Sequence, residues 1–502
     1  MGFSVDGRLR GAFFSGLSVV SYTSMLSYPN TKLTKIVATI GPASDTHELI
    51  ERLILSGVNI FRFNFKHGEV GWHQERVQRV RQVANKLDIV VGVMMDLQGP
   101  SFRIILDEAT KEIKIGDRFV FGSDAFTTTH PHIIPSLRKG QILLVDDGTI
   151  SFVVCADTLP GDSTVEIESR SNDVLLNRKS LNIPGADFPV DLLTERDLLG
   201  IQIAVDEQME IVAFSFARTA QDIIDIRKRL TDRGCVAQIC AKLETAQSLE
   251  NLEEIVKETD SVMVARGDLG VETPLEQVPL HQKRMIETCL RYGKSVITAT
   301  QMMSSMENYA FPTRAEVSDV ANAILDRTDA IMLSGESASG KYPAETVAMM
   351  SRISEATEAQ GKGYMREVTK LKFDDSASRV AHAAHKLCLD CIDSQKPISA
   401  FVVFTSTGRS AKLMSHFRSG IPIFAITGNK ITLGALCLDY AVMPVLQPAE
   451  YGGEVENDHI DATLEHLKSK GFLTTGQSVI VLHGNDWGEP RGTSSIRLMD
   501  IP

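Results

Sequence analysis

Short apolar runs alternate with amphipathic segments along most of this chain, and this alternation constrains its fold more than any other feature. The strand candidates are residues 35–41, 59–65, 90–97, 210–216, 237–244, 261–268, 295–301 and 330–336. The segments between them, such as WHQERVQRVRQVANKL, carry apolar residues at helical spacing, with glycine near several of their ends. Strand–helix alternation favours a parallel sheet with helical crossovers, and eight such units predict a closed (β/α)8 TIM barrel.

One connection interrupts this rhythm after the third strand. It contains KEIKIGDRFVFG, GQILLVDDGTISFVV and DSTVEIES, which predict short strands separated by Gly and Asp turns. We therefore predict a small inserted β-barrel domain that acts as a lid over the C-terminal face of the barrel. The predicted divisions are an N-terminal arm over 1–33, the catalytic barrel over 34–101 and 188–358, the inserted lid over 102–187, and a C-terminal α/β domain with an open sheet over 359–502.

Composition excludes several classes of partner. The net charge of -12 argues against broad binding to nucleic acid or to anionic membranes, and no apolar run is long enough to span a bilayer. Seven scattered cysteines indicate reduced thiols of a cytoplasmic protein rather than a disulfide framework. The Ser-rich first thirty residues suit an N-terminal arm, with a transit peptide as the alternative.

Polar side chains cluster at the predicted C-terminal ends of the strands, where enzymes of this fold place their active residues. These side chains belong to Arg62, Asn64, Lys66, Asp96, Ser215, Lys242, Glu244, Asp268 and Thr300. Glu244 and Asp268 provide two carboxylates one strand apart, and Lys242 shares a strand face with Glu244. Two carboxylates with few other ligands suit Mg²⁺ bound together with a phosphorylated or carboxylate substrate. The following ARGDLG offers N–H groups at a predicted helix start, where an anion can bind.

A series of motifs, in order from Thr34 to Glu358, resembles the pyruvate kinase family. The motifs are TKIVATIGPAS, NIFRFNFKHG, MDLQGP, AKLE, VMVARGDLGVE, ITATQMM, PTRAEVSDVANAILD and IMLSGESASGKYPAET. LNIPG in the insertion and TSTGRSA in the last domain extend the resemblance. It implies phosphoryl transfer from phosphoenolpyruvate to ADP, with Mg²⁺, in glycolysis.

The resemblance also implies roles for individual residues. Glu244 and Asp268 would hold Mg²⁺, Lys242 would neutralise charge on the moving phosphoryl group, and the guanidinium fork of Arg62 would bind phosphate. The remaining substrate contacts are assigned to Gly267 and Asp268 through their backbone, to Ser215, and to Thr300, which would also organise a proton relay. The nucleotide contacts are assigned to Asn64, Lys66, His67, Arg103 and, from the insertion, Lys179.

The monovalent-cation site of the family is altered in this chain. Most members bind K⁺ through an Asn, a Ser, an Asp and a Thr in NFSHG and DTKGPE; here Asn64 and Asp96 remain, but Lys66 and Leu97 replace the other two. A site that loses two oxygens and gains an ammonium should not bind K⁺. We therefore predict that K⁺ is not required and that Lys66 takes its place, the alternative being a surface lysine that points to water.

The last domain resembles the allosteric module of the family, and a homotetramer is implied by the resemblance alone. The candidate effector residues are Thr405, Ser406, Thr407, Gly408, Arg409 and Ser410, with Trp487 and Arg491 on the opposite wall. An ordinary strand–helix turn is the alternative for this segment.

Two other functions remain open from the sequence. One is a catalytically weak regulatory homologue, suggested by Lys66 and by serines at 304 and 339, where the family carries Glu and Lys. The other is a different Mg²⁺-dependent enolate lyase or aldolase on the same barrel, although such an enzyme would need neither the insertion nor Lys242.

Overall fold

The computed structural model confirms the barrel, and it describes residues 32–185, 191–361, 375–394, 396–447, 457–484 and 492–502. The first half of the barrel comprises β1 (Lys35–Thr39), α1 (His47–Ser56), β2 (Ile60–Asn64), α2 (Val70–Leu87) and β3 (Gly92–Asp96). Lys32, at the end of the predicted arm, donates from Nζ to Asn59 Oδ1 at 2.7 Å, and the Leu33 N–H donates to the Glu358 carboxylate at 2.8 Å. These two residues therefore pack onto the barrel.

The connection after β3 folds into a small β domain with its own hydrophobic core. Its strands are β4 (Ile104–Leu106), β5 (Thr110–Ile113), β6 (Arg118–Phe121), β7 (Phe126–Thr128), β8 (Ile142–Val145), β9 (Ile150–Val154), β10 (Val165–Ser169), β11 (Asp173–Leu176) and β12 (Leu181–Asn182). Five strands pair in the order β12-β8-β9-β10-β6, and the others form the pairs β4-β7 and β5-β11. Phe121, Phe126 and Phe152 are buried in this core, separately from the barrel, as expected of a domain in its own right.

The second half of the barrel follows the insertion. Its elements are α3 (Glu195–Asp206), β13 (Ile211–Phe214), α4 (Ala220–Thr231), β14 (Gln238–Leu243), α5 (Ala246–Glu250), α6 (Leu252–Glu258), β15 (Ser261–Ala265), α7 (Arg266–Glu272), α8 (Val278–Tyr292), β16 (Ser295–Ala299), α9 (Arg314–Leu325), β17 (Ala330–Leu333), α10 (Gly335–Ala338) and α11 (Pro343–Gly361). The strands close in the order β1-β17-β16-β15-β14-β13-β3-β2, with every neighbouring pair parallel. The predicted strand 261–268 was too long, because α7 already begins at Arg266 and places Asp268 in its first turn.

The alternation of side chains along the strands explains why polar groups gather at one end of the barrel. One set of alternate residues faces the barrel interior, where Ile60, Met94, Ala213 and Cys240 belong to a single buried apolar cluster. Two positions further along the same strands come Arg62, Asp96, Ser215 and Lys242. The same inward face that is apolar in the middle of the barrel therefore becomes charged at its C-terminal end.

The C-terminal domain is an α/β unit with an open sheet, as predicted. Its elements are α12 (Ser376–Asp393), β18 (Ile398–Phe404), α13 (Arg409–His416), β19 (Ile423–Thr427), α14 (Lys430–Ala435), β20 (Val442–Leu446), α15 (Asn457–Ser469), β21 (Ser478–Gly484) and β22 (Thr493–Asp500). The sheet order is β20-β19-β18-β21-β22, and only β22 runs antiparallel to its neighbour. The sequence prediction missed β22, an edge strand in which exposed polar residues leave little apolar pattern.

Candidate active site

An ion pair between Arg62 and Asp96 lies at the C-terminal end of the barrel. Arg62 Nε and Nη2 each lie 2.6 Å from Asp96 Oδ2, and Arg62 Nη1 donates to Thr39 Oγ1 at 2.8 Å. Burial alone would raise the pKa of the Asp96 carboxyl, but the charges of Arg62 and Lys242 outweigh burial and lower that pKa. The Asp96 carboxylate is therefore ionised and already paired with cations of the protein.

Lys242 is the next inward-facing residue on β14 after Cys240, and its ammonium lies between the carboxylates of Asp96 and Glu244. Its Nζ lies 2.9 Å from Glu244 Oε1 and 3.4 Å from Asp96 Oδ1, and it donates to Ser215 Oγ at 2.9 Å. Burial alone would lower the pKa of Lys242, but the Asp96 and Glu244 carboxylates raise it above its ordinary value. A charged ammonium is thereby held in a largely enclosed position, with its side chain 12% exposed.

Glu244 and Asp268 follow neighbouring strands and form the predicted carboxylate pair. Glu244 is buried, and its Oε2 accepts the N–H of Phe216 at 2.9 Å. Burial raises the pKa of Glu244, the Lys242 ammonium opposes this rise and the Asp268 carboxylate adds to it. A divalent cation between the two carboxylates would remove their repulsion, so the pair fits Mg²⁺. Because two carboxylates do not fill the octahedral shell of Mg²⁺, water and substrate oxygens would complete it.

Two residues beside this pair adopt left-handed backbone conformations that glycine normally provides. Phe216 has φ 59° and Thr300 has φ 67°, and such values are costly for bulky or β-branched residues. Thr300 Oγ1 accepts the N–H of Gly267 at 2.8 Å and donates to the Ala299 carbonyl at 2.6 Å. Thr300 and Gly267, both predicted substrate contacts, are thus hydrogen-bonded to each other. Phe216, whose strained backbone orients Glu244, was not predicted, because nothing in its local sequence signals that conformation.

Most of the predicted catalytic and substrate-binding side chains line one cavity. It has a volume of about 130 Å³ and is lined by Arg62, Asn64, Lys66, Leu97, Gln98, Ser101, Ser215, Phe216, Lys242, Glu244 and Asp268. A second cavity of about 380 Å³ shares Lys66 and Asp268 with it and extends between the barrel and the insertion, where Asp147 and Ser180 contribute to its wall. The two cavities together form one cleft, the candidate active site, with an inner, strongly charged end and an outer end under the inserted domain.

Lys66 lies in the turn after β2, at the junction of the two cavities. Its N–H donates to Asn64 Oδ1 at 3.2 Å, and its exposed side chain lines both cavities. Leu97 is buried and lines the inner cavity, so it supplies a hydrocarbon surface there rather than an oxygen. At the altered monovalent-cation site, Lys66 therefore supplies an ammonium and Leu97 an apolar side chain. The Asp96 carboxylate is already paired with Arg62.

Two residues at the N-terminus of α3 bind the loops that carry Lys66 and Leu97. Arg196 donates from Nε to the Phe65 carbonyl at 2.6 Å and from Nη2 to the carbonyls of His67 and Gly68, and its guanidinium lies over the Phe65 ring. The neighbouring Asp197 accepts the N–H of Gln98 at 2.7 Å. The sequence analysis assigned no role to either residue, because two adjacent charged residues at the start of a helix do not indicate contacts with loops far away in the sequence.

The remaining predicted nucleotide contacts do not line either cavity. Arg103 donates to the Arg178 carbonyl at 2.8 Å, and Lys179 pairs with Asp146 at 2.8 Å, both within the insertion. The pKa of His67 is lowered by burial and by the nearby charges of Lys66 and Arg103, which favours its neutral form. The structure therefore places Asn64 and Lys66 in the cleft and these three residues outside its lining.

The candidate effector segment lies in the C-terminal domain, between β18 and α13. Thr405 Oγ1 accepts the N–H of Gly408 at 2.9 Å, and Gly408 has φ 83°, a conformation that favours glycine. The Ser406 carbonyl accepts a hydrogen bond from Thr432 Oγ1 at 3.1 Å, and Ser410 bonds to Thr493. Trp487 and Arg491, the predicted opposite wall, lie outside the described residues.

The fold and the cleft define a class of protein: a (β/α)8 barrel whose cleft, with cationic side chains beside a carboxylate pair, suits an anionic, phosphorylated substrate and a divalent cation. No helix in the described ranges is long and apolar enough to cross a membrane.

Comparison with known proteins identifies the family. The family model "pyruvate kinase, barrel domain" matches residues 31–347, and "pyruvate kinase, alpha/beta domain" matches residues 378–499. Curated relatives named pyruvate kinase include one from Sporosarcina psychrophila, 37% identical over 93% of this chain and 80% of its own length, and one from Buchnera aphidicola, 35% identical over 93% and 98%. A relative from Staphylococcus aureus is 35% identical over the same share of this chain. The chain belongs to the pyruvate kinase family of phosphotransferases, whose glycolytic reaction transfers a phosphoryl group from phosphoenolpyruvate to ADP.

Proposed function

We propose that this pyruvate kinase works without a monovalent cation because the Lys66 ammonium supplies the charge that K⁺ supplies in most of the family. The observation that carries this proposal is the position of Lys66 in the same cavity as Arg62, Lys242 and Asp268. The Lys66 ammonium has no hydrogen-bond or ion-pair partner among the residues described here, so it is available to a bound phosphate. An ammonium and K⁺ carry the same single positive charge, so either can offset the negative charge of a phosphate.

The side chains of the cleft have complementary roles in this proposal. The Arg62 guanidinium binds the phosphate of phosphoenolpyruvate, and Lys242 offsets the charge that develops on the transferred group. Glu244 and Asp268 would hold the Mg²⁺ ion that the family generally uses, and this ion would neutralise negative charge on the substrate. Ser215, hydrogen-bonded to Lys242, keeps the ammonium in place beside the substrate.

The chain's own donors orient the rest of the substrates. The backbone N–H of Asp268, in the first turn of α7, binds the substrate carboxylate, whereas the Gly267 N–H, also predicted as a donor, is taken up by Thr300 Oγ1. Thr300, whose hydroxyl bridges Gly267 and Ala299, organises the proton relay to the enolate carbon. Nucleotide contacts are proposed for Asn64 and Lys66 in the cleft, with further contacts from His67, Arg103 and Lys179 once ADP brings the insertion over the barrel.

Replacing Lys66 with serine tests its role directly. In K⁺-free Tris buffer with Mg²⁺, we expect Lys66→Ser to lower kcat/KM about tenfold or more, because the cleft loses a cation. Added KCl should restore part of this loss, since serine returns an oxygen ligand. Lys66→Arg should remain close to wild type, and Lys139→Ser, at an exposed lysine of the insertion, is the matched control. An unchanged rate for Lys66→Ser without K⁺ would refute the proposal.

Arg196 should act as a positioning residue through the turn that carries Lys66. Because Arg196 bonds to three carbonyls of residues 65–68, we expect Arg196→Gln to lower kcat/KM about tenfold and to raise the KM for ADP more than that for phosphoenolpyruvate. Arg196→Lys should recover part of the activity. Arg233→Gln is the control, since Arg233 also donates to a carbonyl but lies at the exposed end of α4. Equal changes in both KM values would contradict a local effect on the turn.

A homo-oligomer is supported by exposed apolar side chains on adjacent βα units. Leu275 and Leu280 follow β15, and Tyr309 and Phe311 follow β16; their exposed fractions are 64–74%. We propose that this surface packs against a second copy in a homotetramer. Analytical ultracentrifugation should show a smaller species for a Tyr309→Asp/Phe311→Asp variant than for the wild type, whereas Val236→Asp, at another exposed apolar residue, should leave assembly intact. An unchanged sedimentation coefficient for the double variant would exclude this surface.

Two further proposals concern an effector and the cellular location. A phosphorylated effector is proposed at the loop Thr405–Ser410, supported by the positive φ of Gly408 immediately before α13. A cytoplasmic location is proposed from the cysteines, all of which are free thiols, as expected in a reducing compartment.

A further inference from the structure

A third cavity lies between the barrel and the C-terminal domain, away from the active-site cleft. Its volume is about 320 Å³, and its walls come from the start of β14 and the end of α8 on one side and from α12 and α13 on the other. Four basic side chains line it: Arg291 and Lys294 from the barrel, and Arg409 and Lys412 from the C-terminal domain. The volume lies within the range typical of small-ligand sites.

The four cations differ in how their charge is compensated. Arg291 pairs with Glu253 at 3.1 Å, and Arg409 pairs with Asp375. The two lysines have no carboxylate within ion-pair distance in the described part of the chain. Lys294 Nζ donates to the carbonyls of Lys257 and Thr259 at 3.0 and 2.6 Å, and Lys412 Nζ donates to Gln238 Oε1 at 2.8 Å.

One acidic residue also lines the cavity, but it is committed to another partner. Asp260 pairs with Arg227 at 3.0 Å and accepts the N–H of Ile239. Burial lowers the pKa of Lys294, Asp260 opposes that change, and the positive charges of Lys412 and Arg227 add to it. Lys294 and Lys412 therefore repel each other across the two domains, and an anion between them would relieve this repulsion.

We propose that this cavity binds a small phosphomonoester, with its phosphate between Lys294 and Lys412. Asp439 lies near enough to Lys412, and Asp260 and Glu258 near enough to Lys294, to interact electrostatically, but neither ammonium has a carboxylate within ion-pair distance in the described residues. A phosphate dianion would supply that contact to both, and the Thr407 hydroxyl at the exposed edge of the cavity offers a further hydrogen bond. The site shares Thr407 and Arg409 with the proposed effector loop, but its two phosphate-binding lysines lie outside that loop. It is independent of the catalytic residues and of the Lys66 proposal.

A ligand bound in this cavity would affect the catalytic cleft through strand β14. Lys412 bonds to Gln238, the first residue of β14, and the opposite end of β14 carries Lys242 and Glu244. A phosphate that draws the Lys412 ammonium into the cavity would weaken its bond to Gln238. The ligand would thus change the contact between α13 and the strand that supplies the catalytic lysine.

Isothermal titration calorimetry on the full chain tests the proposal, with glycerol 3-phosphate as the probe and glycerol as its uncharged control. The titrations are run in Mg²⁺-free buffer and in an Arg62→Gln background, which removes the phosphate contact of the catalytic cleft. In that background we expect one site per chain, about tenfold weaker binding for Lys412→Gln, and no measurable binding for Lys294→Gln/Lys412→Gln. Lys412→Arg should retain binding, which separates loss of charge from loss of folding. Lys430→Gln, at an exposed lysine of α14, is the matched control and should bind like wild type.

The outcomes discriminate between this cavity and its alternatives. Wild-type affinity in the double variant, or an equal loss in Lys430→Gln, would overturn the proposal. Loss of binding in Ser406→Ala with normal binding in Lys412→Gln would place the phosphate at the effector loop instead, and would also overturn it. None of these results depends on whether the enzyme needs K⁺.

Discussion

Replacing Lys242 with methionine should lower kcat by about 10³-fold, the largest effect we expect from any single substitution in this chain. The Lys242 side chain is only 12% exposed, its ammonium lies 2.9 Å from Glu244, and the surrounding carboxylates raise its pKa above its ordinary value. Phosphoryl transfer relies on electrostatic stabilisation more than on covalent chemistry, so a fixed buried cation contributes strongly to the transition state. Methionine keeps the length of the side chain but removes the charge.

The measurement is kcat in a lactate-dehydrogenase-coupled assay with saturating phosphoenolpyruvate, ADP and Mg²⁺. Lys139→Met, at an exposed lysine of the insertion, should match wild type. Circular dichroism should show that Lys242→Met remains folded, because a folded but inactive variant separates chemistry from stability. A kcat within about threefold of wild type would mean that the ammonium does not act on the transferred group.

The second large effect should come from Glu244→Gln. We expect kcat to fall by about 10²-fold and the Mg²⁺ concentration for half-maximal activity to rise, because one of two metal-binding carboxylates becomes neutral. Glu244 also pairs with Lys242 and accepts the Phe216 N–H, so its loss disturbs the position of the lysine as well.

Direct metal binding separates these two consequences of Glu244→Gln. Electron paramagnetic resonance of Mn²⁺, used as a probe for the Mg²⁺ site, should show weaker binding to the variant than to wild type. Glu254→Gln, on the exposed face of α6, is the matched control for loss of one carboxylate. Unchanged Mn²⁺ affinity with reduced kcat would show that Glu244 acts by orienting Lys242 and not as a metal ligand.

Local patterns were sufficient to predict the barrel and most of the side chains that share its inner cavity. Each barrel strand is an apolar run of a few residues, and period-two alternation carries Ile60 to Arg62 and Cys240 to Lys242 on the same inward face. The barrel then brings separate strand ends together, so residues chosen only by their place on a strand share one cavity.

The remaining features depend on contacts that no local pattern encodes. Arg196 reaches back about 130 positions to the turn at Lys66, and Thr300 bonds to Gly267 from the next strand. The left-handed backbone of Phe216 is imposed by its surroundings, because no local preference of phenylalanine favours it. The lysine-lined cavity between the domains likewise arises from packing between α13 and the barrel, which the sequence pattern of neither domain reveals.

The central claim is that Lys66 replaces K⁺ in an otherwise complete pyruvate kinase site. The most direct measurement is the rate of pyruvate formation by the wild-type enzyme in Tris buffer with phosphoenolpyruvate, ADP and Mg²⁺, with and without KCl. We predict full turnover without K⁺ and a change of less than about tenfold when K⁺ is added. An increase of more than about tenfold on addition of K⁺, or no pyruvate under either condition, would contradict the account.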